Sequence, residues 1–245
     1  MDASQLLMVI PARGGSKGLP RKNARQLGEW PLLQWTADAI SLSGLQGQQC
    51  LLSTDDEEIA QIGKEIGLEV PFLRPTALAT DTANLTDTVR HAMEWVKQER
   101  GFMPDYLMVL QPTSPFRPPQ LIREAFTRLI NSDADAVIAV KPIHRSLGTL
   151  FYTDQRQIMT SLERQAELVT RRQDVRTLFT PNGAMYAIKR SVFESQNSLF
   201  PENCQAICLD QIQSHDIDDP RDWAIANAFA DAGITWRSAR EHTET

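Results

Sequence analysis

Short apolar runs alternate with amphipathic segments of helical period along most of the chain, and this alternation restricts the architectures open to it. Leu6 to Ile10, Cys50 to Ser53, Tyr106 to Leu110, Ala136 to Val140 and Ala184 to Ile188 read as strands. Between them, Leu85, Val89, Ala92, Met93 and Val96 share one helix face, and Leu121, Ile122, Ala125, Phe126, Leu129 and Ile130 share another. Thr54-Asp-Asp-Glu57 has capping-box spacing, which predicts a helix directly after the second strand, running toward Gly67. Asp219-Pro220 opens a last helix that carries Trp223, Ala226, Phe229 and Ala230 and stops near Gly233. Strand following helix in this order predicts an α/β domain, a mostly parallel doubly wound sheet with helices on both faces. Ligands of such sheets sit at the carboxyl ends of the strands. The stretch from about 141 to 180 is rich in Arg, Gln and Thr, shows no clear period, and reads as an excursion from one domain spanning 1–245.

Composition excludes several classes. No apolar run approaches the length needed to cross a bilayer, and the N-terminus passes into its first strand without a basic region or cleavage site, so the expected location is cytoplasmic. Three cysteines make a disulfide framework unexpected. A net charge of −6 argues against a nucleic-acid partner, although a local basic cluster can still hold a phosphate-bearing ligand.

One such cluster follows the first strand. Arg13, Lys17, Arg21 and Lys22 surround a glycine-rich loop, whose backbone can turn sharply and present amides to an anion. The loop is chemistry for a polyphosphate, or else a solvated basic turn. No Gly-Lys-Ser/Thr closes it as a Walker loop, and the G-x-G-x-x-G dinucleotide spacing is absent. The second signal is Asp216-Ile-Asp218. In an extended segment its two carboxylates share a face and suit Mg²⁺, which takes one or two protein carboxylates and fills its other positions with water and phosphate oxygens. The alternative is that both decorate a helix N-terminus, where Asp219 is the expected cap. His215 beside them reads as hydrogen bonded, not as a ligand.

Residues 10–23, IPARGGSKGLPRKN, resemble the signature of the acylneuraminate cytidylyltransferases, the CMP-sialic acid synthetases. The resemblance continues in order through STDDEE at 53–58, FLRP at 72–75, DTA at 81–83, LQPTSP at 110–115, RRQD at 171–174, PNGA at 181–184 and DID at 216–218. It implies a Rossmann-like fold of the nucleotide-diphospho-sugar transferase type, a Mg²⁺ requirement, and a homodimer in which the 141–180 excursion packs on the partner. The implied substrates are CTP and an acidic nine-carbon, nonulosonic sugar, joined as a CMP-sugar with release of pyrophosphate. By this resemblance Arg13, Ser16, Lys22 and Asn23 contact the CTP phosphates and ribose, and Lys22 stabilises charge developing on the α-phosphate. Arg74, with Thr82 and Ala83, holds cytosine, unless Arg74 forms only a salt bridge. Asp216 and Asp218 hold the metal, and with Lys22 and Arg13 make up the catalytic set. Gln111, Arg172, Gln173 and Asn182 bind the sugar; an arginine fork suits its carboxylate, and Arg171 competes with Arg172 for that role. The chain departs from the pattern at Asn84-Leu85, where many members have two serines. Three other readings stand beside this one: a 3-deoxy-octulosonate cytidylyltransferase, disfavoured by the 110–115 stretch; a non-catalytic nucleotide-binding regulator, disfavoured by the paired aspartates; and a Rossmann oxidoreductase, disfavoured by the missing fingerprint.

Overall fold

The computed structural model describes residues 1–15, 18–143, 145, 149–162 and 177–237. In chain order its elements are β1 (Leu6–Pro11), β2 (Gln26–Leu27), β3 (Trp30–Pro31), α1 (Leu32–Ser41), β4 (Gln49–Ser53), α2 (Glu57–Glu65), α3 (Leu85–Arg100) and β5 (Tyr106–Val109). There follow α4 (Pro119–Asn131), β6 (Ala136–Ile143), β7 (Phe151–Thr153), β8 (Met159–Ser161), β9 (Leu178–Lys189), α5 (Arg190–Gln196), β10 (Cys204–Cys208) and α6 (Pro220–Asp231). Six strands form one sheet in the order β10-β6-β9-β5-β1-β4. The pairs β1–β4, β1–β5 and β10–β6 are parallel, whereas β9 runs antiparallel to both β5 and β6. The sheet is therefore mixed and mostly parallel, as the alternation predicts.

Every residue of β1 except the last is buried, as a central strand covered on both faces must be. Leu6, Met8 and Ile10 join Leu33 and Ile40 of α1 and Ile122 and Phe126 of α4. Leu7 and Val9, pointing the other way, join Val89, Met93 and Val96 of α3. Each fully buried aliphatic side chain contributes roughly 1.5–3 kcal/mol against exposure, so these two layers are what hold the sheet. A third cluster bears directly on function. Leu19, Trp35, Phe116, Ile217 and Ala226 tie the basic loop, α1, the segment after β5 and α6 to one another.

Of the differences from the sequence reading, three have a clear physical cause. First, α2 starts two residues later than the Thr54 box implies. Asp56 caps it by accepting from the Ile59 amide at 3.0 Å, while the Thr54 hydroxyl accepts from the Asp56 amide at 3.2 Å, so Thr54 shapes the turn into the helix. Second, β9 begins at Leu178 instead of Ala184. Its first residues, Leu178 to Pro181, pair with Val140 to Ile143 of β6 as a ribbon, where no buried run marks them. Third, β10 was not read at all, because this edge strand buries only Ile207. The α6 cap is as expected, with a capping box between Asp219 and Asp222.

Candidate active site

The basic loop leaves β1 at Pro11, and its shape is set by carboxylates that follow β4. The Gly14 amide donates to Asp55 Oδ1 at 3.0 Å, and a Cβ on Gly14 would collide with the Asp56 side chain. Arg21 takes a left-handed conformation, φ 55°, and its guanidinium pairs with Asp56 and Glu58. That turn drives the next side chain inward. Lys22 is only 8% exposed, and its ammonium donates to the Ile217 carbonyl and lies 3.4 Å from Asp218 Oδ1. Gly18 rests directly on the Asp218 carbonyl, in space a Cβ would fill. The glycine-rich loop and the acidic segment, about 200 residues apart in sequence, thus form one wall.

That wall borders a cavity of about 570 Å³ at the carboxyl ends of β1 and β5. At its mouth Arg13 pairs with Asp81 at 2.9 Å. Asn23 donates to the Arg13 carbonyl at 3.1 Å and leaves its own Oδ1 buried without a partner. Arg74 is buried beside Asp55, Oδ1 to Nη2 at 3.7 Å, and donates to Thr88 Oγ1 at 3.0 Å. Burial pushes the Arg74 guanidinium below its ordinary range, opposed by Asp55. Gln111, Thr113 and Asp216 line it as well. Gly183, at φ +77°, lies under Gln111, since a Cβ there would come within 2.6 Å of Gln111 Oε1. The cavity is accordingly lined by Arg13, Lys22 and Arg74, each beside a carboxylate, and by the amide of Gln111 and the carboxylates of Asp216 and Asp218.

Of the residues singled out from sequence, Arg13, Lys22, Asn23, Arg74, Ala83, Gln111, Asp216 and Asp218 line the cavity. Two do not line it. Thr82 is exposed, its hydroxyl 3.3 Å from that of Thr80. Asn182 lies beneath the surface with its carboxamide occupied: Nδ2 donates to Ser214 Oγ at 3.0 Å and Oδ1 accepts from the Ala184 amide at 3.1 Å. Its role is to hold the Gly183 turn, a correction that follows from those two bonds. Ser16, Arg172 and Gln173 lie outside the described residues. His215 bonds the Asp222 carbonyl at 2.8 Å and stacks on Phe116, as a structural histidine does. Sequence reasoning missed Asp55, Asp81, Thr88 and Thr113. Asp55, Asp81 and Thr113 carried a signal, since all three fall inside quoted motifs, whereas Thr88 does not.

Asp216 is the group most in need of a partner. Its Oδ1 is buried with none, and burial pushes its carboxyl pKa up, opposed by the Thr113 hydroxyl and, after the Asp218 charge raises it further, by Lys22 and Lys141. A carboxylate oxygen left uncompensated beside an exposed second carboxylate fits a hard divalent cation.

Comparison with known proteins agrees with this geometry. Residues 7–215 match the family described as cytidylyltransferase. Over 224 residues, 90% of this chain and 94% of the relative, the sequence is 34% identical to the CMP-N,N'-diacetyllegionaminic acid synthase of Legionella pneumophila. It is 26% identical to the pseudaminic acid cytidylyltransferase of Campylobacter jejuni, covering 90% and 94%. It is 29% identical to the N-acylneuraminate cytidylyltransferase of Escherichia coli, covering 91% of this chain and 51% of that one. The fold superposes, at TM-score 0.66 and 17% identity, on a CMP:2-keto-3-deoxy-manno-octonic acid synthetase solved with CTP, covering 93% of this chain and 98% of that one.

Proposed function

This chain belongs to the cytidylyltransferase family, and from that premise we propose that it transfers CMP from CTP to the anomeric hydroxyl of a nonulosonic acid. Three relatives named for such acids support the substrate class without choosing among legionaminic, pseudaminic and sialic acids. The observation that carries the reading is the meeting of Lys22 with Asp218 on one wall of a cavity also lined by Arg74 and Gln111.

The sugar oxygen attacks the α-phosphorus and the bond to pyrophosphate breaks. Protein does little covalent work in such a transfer and lowers the barrier by alignment and charge neutralisation. Lys22 and Arg13 supply positive charge to the phosphates, the loop amides bind their oxygens, and Arg74 with Ala83 holds cytosine. Asp216 and Asp218 would hold Mg²⁺, which neutralises phosphate charge when bound. Gln111 contacts the sugar, and Arg172 and Gln173 complete its site.

The same reading includes a homodimer and a cytoplasmic location. Among the described residues, no helix is long and apolar enough to cross a membrane. Phe151 and Met159, on one face of the β7–β8 hairpin, are exposed, an apolar surface suited to a second copy of this chain.

The test is pyrophosphate release from CTP and Mg²⁺ with a panel of N-acetylneuraminic, N,N'-diacetyllegionaminic, pseudaminic and 3-deoxy-octulosonic acids. Release that depends on a nine-carbon acid, with the highest kcat/KM among the panel, is the expected result. Release with none of them, or best with the eight-carbon acid, removes the reading.

A further inference from the structure

Arg117 has no exposed surface, and none of the ion pairs found among the described residues involves it. Burial alone lowers its pKa, to about 9, so it remains a cation at neutral pH. A buried cation without a counter-charge is costly, and an apolar side chain of similar length would fill the same volume without that cost. What only the guanidinium supplies is a rigid fork of donors.

The fork is placed where the sheet comes apart. β5 and β9 pair antiparallel from Tyr106↔Lys189 to Val109↔Tyr186, and there the pairing stops. Continuing that register two residues further sets Gln111 opposite Ala184. At that level Arg117 Nη1 donates to the Gln111 carbonyl at 3.2 Å and to the Ala184 carbonyl at 2.6 Å. Nη2 donates to Thr36 Oγ1 of α1 at 2.9 Å, which anchors the fork to the layer behind the sheet. The guanidinium therefore takes the position of the next rung of the ladder, with one strand's carbonyl on either side of it. Gln111 and Gly183 emerge immediately beyond, and it is there that the Gln111 side chain, Gly183 and Asp216 converge on the cavity.

We propose that Arg117 is a positioning residue: it wedges β5 from β9 and thereby sets Gln111 over Gly183 at the end of the cavity that receives the acceptor sugar. The nucleotide end is built from the β1 loop and Arg74, which touch neither carbonyl, so the two substrates must respond differently to its loss. This rests on the assignment of that end to the sugar. The experiment compares Arg117→Lys and Arg117→Met with wild type, using CTP and whichever acid of the panel above the wild type turns over fastest. Both variants are expected to raise the KM for the acid tenfold or more, leaving the KM for CTP within twofold, with lysine the milder because its ammonium keeps the charge and can still donate, though without the fork. Thr36→Val, which frees the fork without removing it, is expected to shift the acid KM in the same direction by a few-fold, and it decides the matter if the Arg117 variants do not fold. A lowered melting temperature with both KM values unchanged, or a parallel rise in both, overturns the proposal. Wild type inactive with every acid would instead sink the functional reading.

Discussion

At the level of single residues, Lys22 and Asp216 show how differently two charged groups of one site can be held. Lys22 is buried against a carbonyl and one exposed carboxylate, an arrangement that leaves its charge available to an incoming phosphate. Because that charge is needed most as pyrophosphate departs, Lys22→Ala should lower kcat on the order of 10²–10³-fold, the scale of losing one preorganised donor, while weakening CTP binding far less. Steady-state kinetics with an independent CTP titration separates the two, and equal losses in both would remove the role. Asp216 carries the opposite burden. Its raised pKa means that the ionised form is disfavoured in the folded protein. The stability linked to this group is thus full below the ordinary carboxylate value of 3.8 and is lost as pH rises through the folded value. In metal-free buffer at neutral pH, Asp216→Asn should therefore melt above wild type while losing Mg²⁺-dependent turnover. A variant that melts lower, or turns over normally at limiting Mg²⁺, contradicts this.

Among elements, the loop after β1 and the segment before α6 depend on one contact. Gly18 abuts the Asp218 carbonyl, so Gly18→Ala sets backbone against a new methyl, and one of the two segments must move. Activity should fall at least tenfold with little change in thermal stability, since neither segment carries the main core layers. The start of α6 gives a pH-dependent counterpart. Asp219 is held below its ordinary range by the amides of Asp222 and then Arg221, so its stabilisation is present above the ordinary 3.8 and is lost as pH falls through the lower folded value. The melting difference between wild type and Asp219→Ala should be full at pH 7 and shrink as pH drops below that point; a constant difference would mean the cap's charge is irrelevant. That cap was legible in sequence because Asp-Pro at a helix start is a local signal. β10 was not, because a strand with one buried residue leaves no periodicity to find. Arg117 was invisible for a related reason. An arginine between a phenylalanine and two prolines reads as a surface cation, and only the splaying of β5 from β9 gives it a purpose.

For the molecule as a whole, sequence carried the sheet and the glycine-rich loop further than the rest of the cavity. That loop is contiguous, so its charge and glycines could be read together, whereas the rest of the lining is drawn from the segments before and within α3, after β5 and before α6. Asn182 shows the hazard: it stands in a motif that marks the site, yet its carboxamide holds the turn. The excursion, by contrast, was recognisable by its broken rhythm, and its described part fits the dimer proposed above. β6 and β9 run beyond the core as a ribbon, and β7 and β8 form a separate two-stranded sheet. Such a hairpin is marginal alone in water. Yet one face of it holds Phe151 at 44% and Met159 at 59% exposure, diagonal across the pairs Phe151↔Ser161 and Thr153↔Met159. Apolar side chains on a hairpin with little core of its own call for a partner surface. If that partner is a second copy, Phe151→Glu combined with Met159→Glu places charge in a desolvated interface and should convert a dimer to a monomer in sedimentation velocity, with the far-ultraviolet circular dichroism retained. The sugar KM should rise in the same variant if Arg172 and Gln173, farther along the same excursion, complete the sugar site from across the interface. A wild-type protein that sediments as a monomer, or a double variant that stays dimeric, rejects this hairpin as the interface.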